Sequence, residues 1–163
     1  MRKYSRALLS IMIVLTCIGC DQATKSYAIR EVPLTNSNNQ AGGFIRFQFA
    51  ENEGYFLGIG STLPATFRTS LAIIMTVLAC TGFIVLLLFA QRINISHLIA
   101  YSLLVAGSFG NLIDRLFHHG LVIDFIILGT KKLHTGILNI ADLFITCSII
   151  ILLVMELLRK RTG

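Results

Sequence analysis

The alternation of apolar and polar segments along the chain predicts a set of membrane-spanning helices. Apolar stretches run from Ala7 to Cys20, Ser70 to Ala90, Ser96 to Ile113, and Ala141 to Leu158. A helix needs about 20 such residues to cross a hydrocarbon core, and a shorter stretch suffices where flanking residues snorkel to the interface. We therefore expect four transmembrane helices, the first being the shortest, in a single polytopic membrane domain over residues 1–163.

Two longer connections, about residues 21–69 and 114–140, link these helices on one side of the membrane. In the first connection Ile45, Phe47 and Phe49 alternate with polar neighbours, which is the period of a half-buried β-strand. We expect a strand there whose aromatic face rests on the bilayer or lines a groove. The second connection carries most of the candidate functional residues.

Composition supports the membrane assignment. Of the 163 residues, 55% are hydrophobic and 13% are charged, and the mean hydropathy is +0.76, which is far too apolar for a soluble domain. Basic residues cluster at both chain ends: Arg2, Lys3, Arg6, Arg159, Lys160 and Arg161. Such residues favour the cytoplasmic side, so we expect both termini in the cytoplasm. Basic residues placed next to anionic lipid headgroups then explain most of the +6 net charge, and no nucleic-acid partner is required.

The first segment also fits a second interpretation. A basic start, MRKYSR, followed by a short apolar core and a small residue before Cys20 is typical of a lipoprotein export signal, which would be cleaved and lipidated at that cysteine. Cys17 stands where such signals usually carry a leucine-like residue, and the rest of the chain is itself polytopic. We therefore favour a first transmembrane helix.

Three acids flank the apolar stretches near the second connection. Asp114 lies in GNLIDR at the end of the third stretch, Asp124 lies in the apolar hexapeptide LVIDFI, and Asp142 lies in NIAD at the start of the fourth. A charge beside hydrocarbon is costly unless it is paired, so such residues are functional candidates by default. The expected topology places all three at the same membrane face.

Two of these acids also fit a purely structural role. Asn139 followed three residues later by Asp142 is typical of a helix N-cap with an acid in the first turn. Both side chains can then interact favourably with the unpaired backbone N–H groups and the positive end of the helix dipole. Asp114 and Arg115 can form an interfacial ion pair at the end of the third helix. The sequence leaves these structural interpretations open beside the functional one.

Asp124 fits a structural role less well, because Ile123 and Phe125 flank it and leave its carboxyl poorly solvated. If Asp124 and Asp142 lie within a few ångströms of each other, both cannot ionise, and the pair must share a proton. One carboxylate can then take a proton from water while the protonated partner polarises a peptide carbonyl. This chemistry hydrolyses a peptide without a covalent intermediate, and it needs no metal or other cofactor.

Other functional sites fit the sequence less well. The chain has no HExxH motif, and His118, His119 and His134 lack the usual spacing of metal ligands. Ser108 has no base at its depth, because His97 begins the same helix at the opposite membrane face. A small four-helix transporter would need an ionisable residue near the middle of a span, and the apolar stretches contain none there.

Five short motifs occur in order along the chain: DQATK at 21–25, NEG at 52–54, GNLIDR at 110–115, VIDFI at 122–126, and NIAD at 139–142. Together they resemble the successive motifs of the lipoprotein signal peptidases, also called signal peptidase II. Each motif is short, but five in register over nearly the whole chain make a specific match.

This resemblance implies a bacterial aspartyl peptidase that removes the signal peptide from a prolipoprotein just before its diacylglyceryl-modified cysteine. It implies that Asp124 and Asp142 are the catalytic pair. Further residues of the motifs are implied to bind substrate or support the site: Asn52, Gly54, Asn111, Asp114, Arg115, Asn139 and Ala141. Asp21 and Lys25 match a motif that we expect to be structural.

The same resemblance implies an overall arrangement. Four transmembrane helices in the bacterial cytoplasmic membrane would carry a small β-sheet cradle and a short helix on the periplasmic side, with the site near that face. The partners would be a lipidated prolipoprotein and membrane lipid, and the antibiotic globomycin would inhibit the protein. We expect a monomer.

The chain departs from the family pattern at two places. Tyr55 and Phe56 follow NEG where small residues are usual, and Leu143 follows Asp142 where serine is common. The catalytic pair is retained, so we expect activity, but the added bulk can narrow the groove for the lipid or the signal helix. The alternative is a paralogue that acts on few substrates, or that binds lipidated peptides without cleaving them.

Overall fold

The computed structural model describes residues 5–32, 44–52, 65–90, 92–130 and 132–162. The described part contains four long helices and a small sheet, in the order α1 (Ser5–Glu31), β1 (Ile45–Asn52), α2 (Ala65–Phe89), α3 (Ile95–Phe117), β2 (Val122–Gly129), β3 (His134–Leu138) and α4 (Ile140–Thr162). The predicted combination of a mostly helical membrane protein with a small sheet is confirmed.

Three of the helices are long and apolar enough to cross a membrane: Ser5–Glu31, Ile95–Phe117 and Ile140–Arg161. The predicted second span falls on α2, which has 25 residues, but its apolar segment within the described residues is the shorter Val77–Leu86. Many large apolar side chains on these four helices are exposed, among them Leu8, Leu15, Leu78, Leu88, Leu153 and Leu157. Exposed apolar surface of this extent is typical of contact with lipid or with another apolar partner.

Helix α1 extends well beyond the predicted first span. The sequence predicts a connection from Asp21 onwards, whereas the helix continues to Glu31. The difference arises because the first charges after the apolar stretch compensate each other. Asp21 Oδ2 and Lys25 Nζ lie 2.8 Å apart, one helical turn from each other, so both side chains can stay buried in a continuous helix.

Helix α3 packs closely against α1 and α4 because two of its glycines face them. A Cβ atom on Gly107 would lie 2.5 Å from the Ala141 carbonyl oxygen, and one on Gly110 would lie 2.6 Å from Asp21 Oδ2. Neither position has room for a side chain, so glycine permits the close approach of the helices. This packing brings the end of α3, the middle of α1 and the start of α4 together.

The sheet is antiparallel, with β2 between β1 and β3. The strand predicted around residues 45–49 is confirmed as β1, although its apolar side chains Ile45 and Phe47 are 53% and 51% exposed. Strand β2 is buried along almost its whole length. It follows α3 through a tight reversal at His119 and Gly120, which both have a positive φ. A continuous apolar run such as that of β2 is typical of a strand covered on both faces.

Two apolar clusters hold these elements together. The first, between α1, α2 and α3, contains Val14, Leu86, Ala90, Leu98, Val105 and Ala106. The second, which joins the C-terminal end of α1 to the sheet, contains Ala28, Phe125 and Ile126. Beside the sheet the described residues form no short helix of the kind expected, and the rest of the first connection lies outside those residues.

Candidate active site

Asp124 and Asp142, here called the carboxylate pair, come from neighbouring elements. Asp124 lies in β2 and is 1% exposed, and Asp142 lies in the first turn of α4 and is 6% exposed. Asn139, which is fully buried, connects β3 to α4. Because β2 pairs with β3 and β3 leads directly into α4, the sheet brings both acids to the same end of the helix bundle.

Asp124 accepts two hydrogen bonds from side-chain amides. Asn52 Nδ2 donates to its Oδ2 at 2.8 Å, and Asn139 Nδ2 donates to its Oδ1 at 2.6 Å. Burial raises the pKa of Asp124 to about 7, and the negative charge of Asp142 adds to this shift, while the two amide hydrogen bonds and the charge of Lys25 oppose it. The net effect favours the protonated form of the Asp124 carboxyl.

Asp142 is held by a side chain from α3 and by the start of its own helix. Asn111 Nδ2 donates to Asp142 Oδ1 at 2.9 Å. The backbone N–H of Asp142 donates to Asn139 Oδ1 at 2.9 Å, which is the predicted N-cap. The capping oxygen belongs to Asn139, so the cap does not use the Asp142 carboxylate. The structural and functional interpretations of NIAD are therefore compatible.

Asn111 and Asn139 connect the two acids. Asn139 Nδ2 donates to Asp124 and also to Asn111 Oδ1, the latter at 3.0 Å. Asn111 Oδ1 accepts a second hydrogen bond from Lys25 Nζ at 3.1 Å, so its Nδ2 is left to face Asp142. The Lys25 ammonium thereby decides which end of the Asn111 amide reaches Asp142.

A second group of buried charges, here called the ionic cluster, consists of Asp21, Lys25 and Asp114. Lys25 Nζ lies 2.8 Å from Asp21 Oδ2 and 2.9 Å from Asp114 Oδ2, and none of the three residues is more than 2% exposed. With Asn111 Oδ1 as the third partner, each hydrogen of the ammonium group has an acceptor. The cluster ties α1 to α3 directly beside the carboxylate pair.

The sequence left open an ion pair between Asp114 and Arg115, whereas in the structure Asp114 pairs with Lys25. Asp114 Oδ2 also accepts from the backbone N–H of Ile123 at 3.0 Å, which attaches the start of β2 to the end of α3. Arg115 Nη1 donates to the Asn111 carbonyl oxygen at 3.0 Å. The pairing differs because Asp114 is buried against α1, where Lys25 supplies the cation.

Ala141 takes part through its backbone. Its N–H donates to Asp21 Oδ1 at 2.8 Å, and the residue is fully buried against α3. Its small side chain lies against Gly110 of α3, where an added Cβ atom would be 3.1 Å from the Ala141 Cβ, and so permits the close packing of α3 and α4.

Gln22 is a site residue that the sequence did not mark as functional. Its Nε2 donates to Asp114 Oδ1 at 2.9 Å and to the Gly110 carbonyl oxygen at 3.2 Å. The feature of the sequence that could have identified Gln22 is its position inside the DQATK motif. Gly54, which was predicted as a site residue, lies outside the described residues, and so do the two bulky residues that follow it.

The side chains considered for other chemistry have local partners. Ser108 Oγ donates to the Leu104 carbonyl oxygen at 2.8 Å. His97 contacts Asn94 at the start of α3, where its backbone N–H donates to Asn94 Oδ1 at 2.9 Å. Across the described ranges, no group of three or more His, Cys, Asp or Glu residues is arranged to hold a metal ion.

The chain is similar over most of its length to proteins of known sequence and structure. The sequence model described as Signal peptidase (SPase) II matches residues 13–158. The lipoprotein signal peptidase of Thermodesulfovibrio yellowstonii is 34% identical over 149 residues, covering 91% of this chain and 92% of that protein. The lipoprotein signal peptidase of Streptococcus pneumoniae is 29% identical over 158 residues, covering 97% of each. A solved structure of a bacterial membrane enzyme has a TM-score of 0.75 at 29% identity, covering 95% of this chain and 91% of that one.

Proposed function

Because the chain belongs to the signal peptidase II family, we propose that it removes signal peptides from diacylglyceryl-modified prolipoproteins with Asp124 and Asp142 as its catalytic pair. Membership of this family makes the chain a bacterial membrane protease of the aspartic type, as the five sequence motifs predicted. The choice of these two acids rests on one observation, which is that two buried carboxylates from β2 and α4 share a network of asparagine amides.

The amide network suits a pair of acids that holds one proton. Asn52, Asn111 and Asn139 donate N–H groups to the carboxylates, and an amide stabilises a carboxylate without neutralising it. The pKa of about 7 at Asp124 lets the pair keep its shared proton near neutral pH. Because two such acids titrate as a unit, we assign the proton to the pair and not to one member.

In the proposed reaction a water molecule binds between the carboxylate pair and the scissile carbonyl group. The ionised carboxylate takes a proton from the water as its oxygen attacks the carbonyl carbon, and the protonated partner donates its proton to the carbonyl oxygen. When the tetrahedral intermediate collapses, the peptide nitrogen leaves with a proton from the pair, and the carbonyl oxygen returns its proton. The pair is then singly protonated again, and no bond has formed between enzyme and substrate.

We place the site at the periplasmic face, in a monomer with α2 as its fourth span. Support comes from α4, which carries Asp142 in its first turn and Arg159, Lys160 and Arg161 in its last turn. Basic residues at the end of a span favour the cytoplasmic side. A reporter fused after Lys132 should therefore be active in the periplasm, and one fused after Arg161 in the cytoplasm. A cytoplasmic signal at Lys132 would contradict the proposed orientation.

A cleavage assay in lipid tests the proposed function. The purified protein should cleave a synthetic diacylglyceryl-modified prolipoprotein peptide immediately before the lipidated cysteine. Chelators and serine-acylating inhibitors should leave the rate unchanged, because a carboxylate pair needs neither a metal nor a serine. Binding of the peptide without any product would support a non-catalytic protein instead. Loss of activity with EDTA and its recovery with zinc would remove the carboxylate pair from the mechanism.

A further inference from the structure

A cavity of about 340 Å³, here called the distal cavity, opens between the start of α3 and the end of α4. Asp142 lies in the first turn of α4, whereas Arg159, which lines the cavity, lies in the last turn. At a rise of about 1.5 Å per residue, the two residues are about 25 Å apart along the helix axis. The carboxylate pair therefore takes no part in the distal cavity, and the proposed cleavage gives this cavity no role.

The lining of the distal cavity combines apolar and polar side chains. The apolar ones are Leu152, Met155 and Leu158, and the polar ones are Asn94, His97, Glu156 and Arg159. Both helices are long and apolar enough to cross a membrane, and these residues come from the ends of the two spans, where hydrocarbon gives way to headgroups. A mixed lining at this depth fits a molecule that has both hydrocarbon chains and a polar headgroup.

Glu156 and Arg159 place opposite charges side by side in this lining. Arg159 Nη2 donates to Glu156 Oε1 at 3.0 Å. Because a carboxylate has two oxygens and a guanidinium has five N–H donors, each group has the capacity for a further partner of opposite charge. A headgroup with both a phosphate and an ammonium group complements the two charges. A purely anionic headgroup would bring its charge close to the Glu156 carboxylate, which is unfavourable.

His97 adds an acceptor for N–H groups. The backbone N–H of His97 donates to Asn94 Oδ1 at 2.9 Å, and His97 Nδ1 lies 2.7 Å from the same oxygen. Since an amide oxygen only accepts, Nδ1 carries a hydrogen, and Nε2 of the neutral ring is an acceptor. A primary ammonium group has three N–H donors, enough for both Nε2 and the Glu156 carboxylate. A quaternary ammonium group has no N–H to donate.

We propose that the distal cavity binds a membrane phospholipid whose headgroup carries both a phosphate and a primary ammonium group. The phosphate binds Arg159, the ammonium group binds Glu156 and His97, and an acyl chain packs along the apolar side chains of α4. This lipid joins α3 to α4 at the end of the bundle opposite the ionic cluster. The proposal depends neither on peptide cleavage nor on the orientation of the chain in the membrane.

Competition between headgroups tests this proposal. The full chain would be placed in lipid nanodiscs with equal amounts of phosphatidylethanolamine, phosphatidylcholine and phosphatidylglycerol that carry identical acyl chains. Mass spectrometry of the intact protein would then identify the lipid that stays bound. The wild-type protein should retain phosphatidylethanolamine at least about fivefold better than phosphatidylcholine, which is the factor that one exposed ion pair can supply. Phosphatidylglycerol has no ammonium group and should compete no better than phosphatidylcholine.

Two variants separate the two charges of the headgroup. Glu156→Gln removes the partner of the ammonium group, so the preference for phosphatidylethanolamine over phosphatidylcholine should fall to near one. Arg159→Gln removes the partner of the phosphate, so the retention of all three lipids should fall about fivefold without a lower preference. Both residues are exposed, so circular dichroism should show folded variants. Glu31→Gln and Arg161→Gln are the matched controls, because these exposed residues do not line the cavity, and they should change neither quantity.

Several results would overturn the proposal. One is that the wild-type protein retains no lipid, or retains phosphatidylethanolamine and phosphatidylcholine equally. Another is that Glu31→Gln lowers the preference as much as Glu156→Gln does, which would mean that general surface charge selects the lipid. A preference for phosphatidylglycerol would mean that the basic residues at the end of α4 select an anionic lipid instead. None of these measurements involves cleavage, so each result leaves the proposed function intact.

Discussion

Two groups of buried acids lie side by side in this protein, and they differ in what surrounds them. In the ionic cluster, Asp21 and Asp114 share the ammonium group of Lys25. In the carboxylate pair, Asp124 and Asp142 receive hydrogen bonds from side-chain amides. Burial alone therefore does not distinguish the two groups, since all four acids are buried. The charge of their partners does, because a cation compensates the acids of the ionic cluster and neutral amides face those of the carboxylate pair.

The two arrangements have different energetic consequences. Within the ionic cluster a cation compensates the buried carboxylates, so removing that cation leaves them with an unopposed desolvation cost. Amides leave the negative charge of the carboxylate pair uncompensated, which favours a retained proton and lowers stability. We therefore expect changes in the ionic cluster to act mainly on folding, and changes in the carboxylate pair to act mainly on turnover.

The largest effect should follow the loss of an ionisable group from the carboxylate pair. Asp124→Asn and Asp142→Asn should each lower kcat at least about 10³-fold, because an amide cannot share the proton. The double variant should be little slower than either single variant, since the two residues act as a unit. Cleavage assays measure this effect, and thermal unfolding should show that the variants are folded. Near-normal turnover by a well-folded Asp142→Asn protein would leave that residue with a purely structural role.

The next largest effect should come from removing the cation of the ionic cluster. Lys25→Met leaves Asp21 and Asp114 buried without their ammonium partner, which should cost roughly 3–5 kcal/mol of unfolding free energy. Adding Asp114→Asn to this variant should recover part of the loss, because one uncompensated carboxylate is removed. Denaturant or thermal unfolding in detergent measures both variants. A Lys25→Met protein as stable as the wild type would contradict the comparison.

Asp114→Asn alone provides the control that links the two groups. It keeps the pair between Lys25 and Asp21, so cleavage should fall far less than after either change in the carboxylate pair. A loss of turnover as large as that of Asp124→Asn would move Asp114 into the catalytic machinery.

The next effect concerns the pH dependence of stability. The pKa of Asp124 in the folded protein is about 7, whereas an unfolded aspartate has a pKa near 3.9. Between these values the folded state binds more protons than the unfolded state, so the free energy of unfolding should fall as the pH rises from about 4 to about 7. Asp124→Asn should flatten this part of the curve. An unchanged slope in that variant, measured by unfolding at a series of pH values, would assign the dependence to another group.

The smallest effect should come from an uncharged buried pair that serves as a reference. Ser10 Oγ and Ser102 Oγ lie 2.8 Å apart between α1 and α3, and both residues are fully buried. Ser10→Ala should cost about 0.6 kcal/mol, the usual size of a hydrogen bond between membrane helices. The cost stays small because Ser102 Oγ also donates to the Leu98 carbonyl oxygen at 2.7 Å. If Ser10→Ala lowered the free energy of unfolding as much as Lys25→Met does, the large effect of Lys25→Met could not be attributed to the loss of a charge.

Features that depend on neighbours in the sequence were predictable. The alternation around Phe47 predicted β1, and the spacing of Asn139 and Asp142 predicted the N-cap of α4. Strand β2 was not assigned from the sequence, because an apolar hexapeptide fits a buried strand and a buried helical segment equally well. The continuation of α1 beyond Cys20 was also not predicted. In the sequence, the charges at Asp21 and Lys25 mark the end of an apolar stretch, because the sequence does not show that the fold supplies partners for them.

By itself, the sequence determined the apolar spans, the family and the acids at the ends of the spans, because composition, motif and spacing are properties of the chain alone. Only the tertiary structure decided which partner each acid meets. The close packing of α3 at Gly110 brings Lys25 of α1 to Asp114, and the same packing leaves Asp124 and Asp142 with asparagines. A buried charge takes the partner that lies within reach, and the separation of two residues along the chain does not set their distance in the fold.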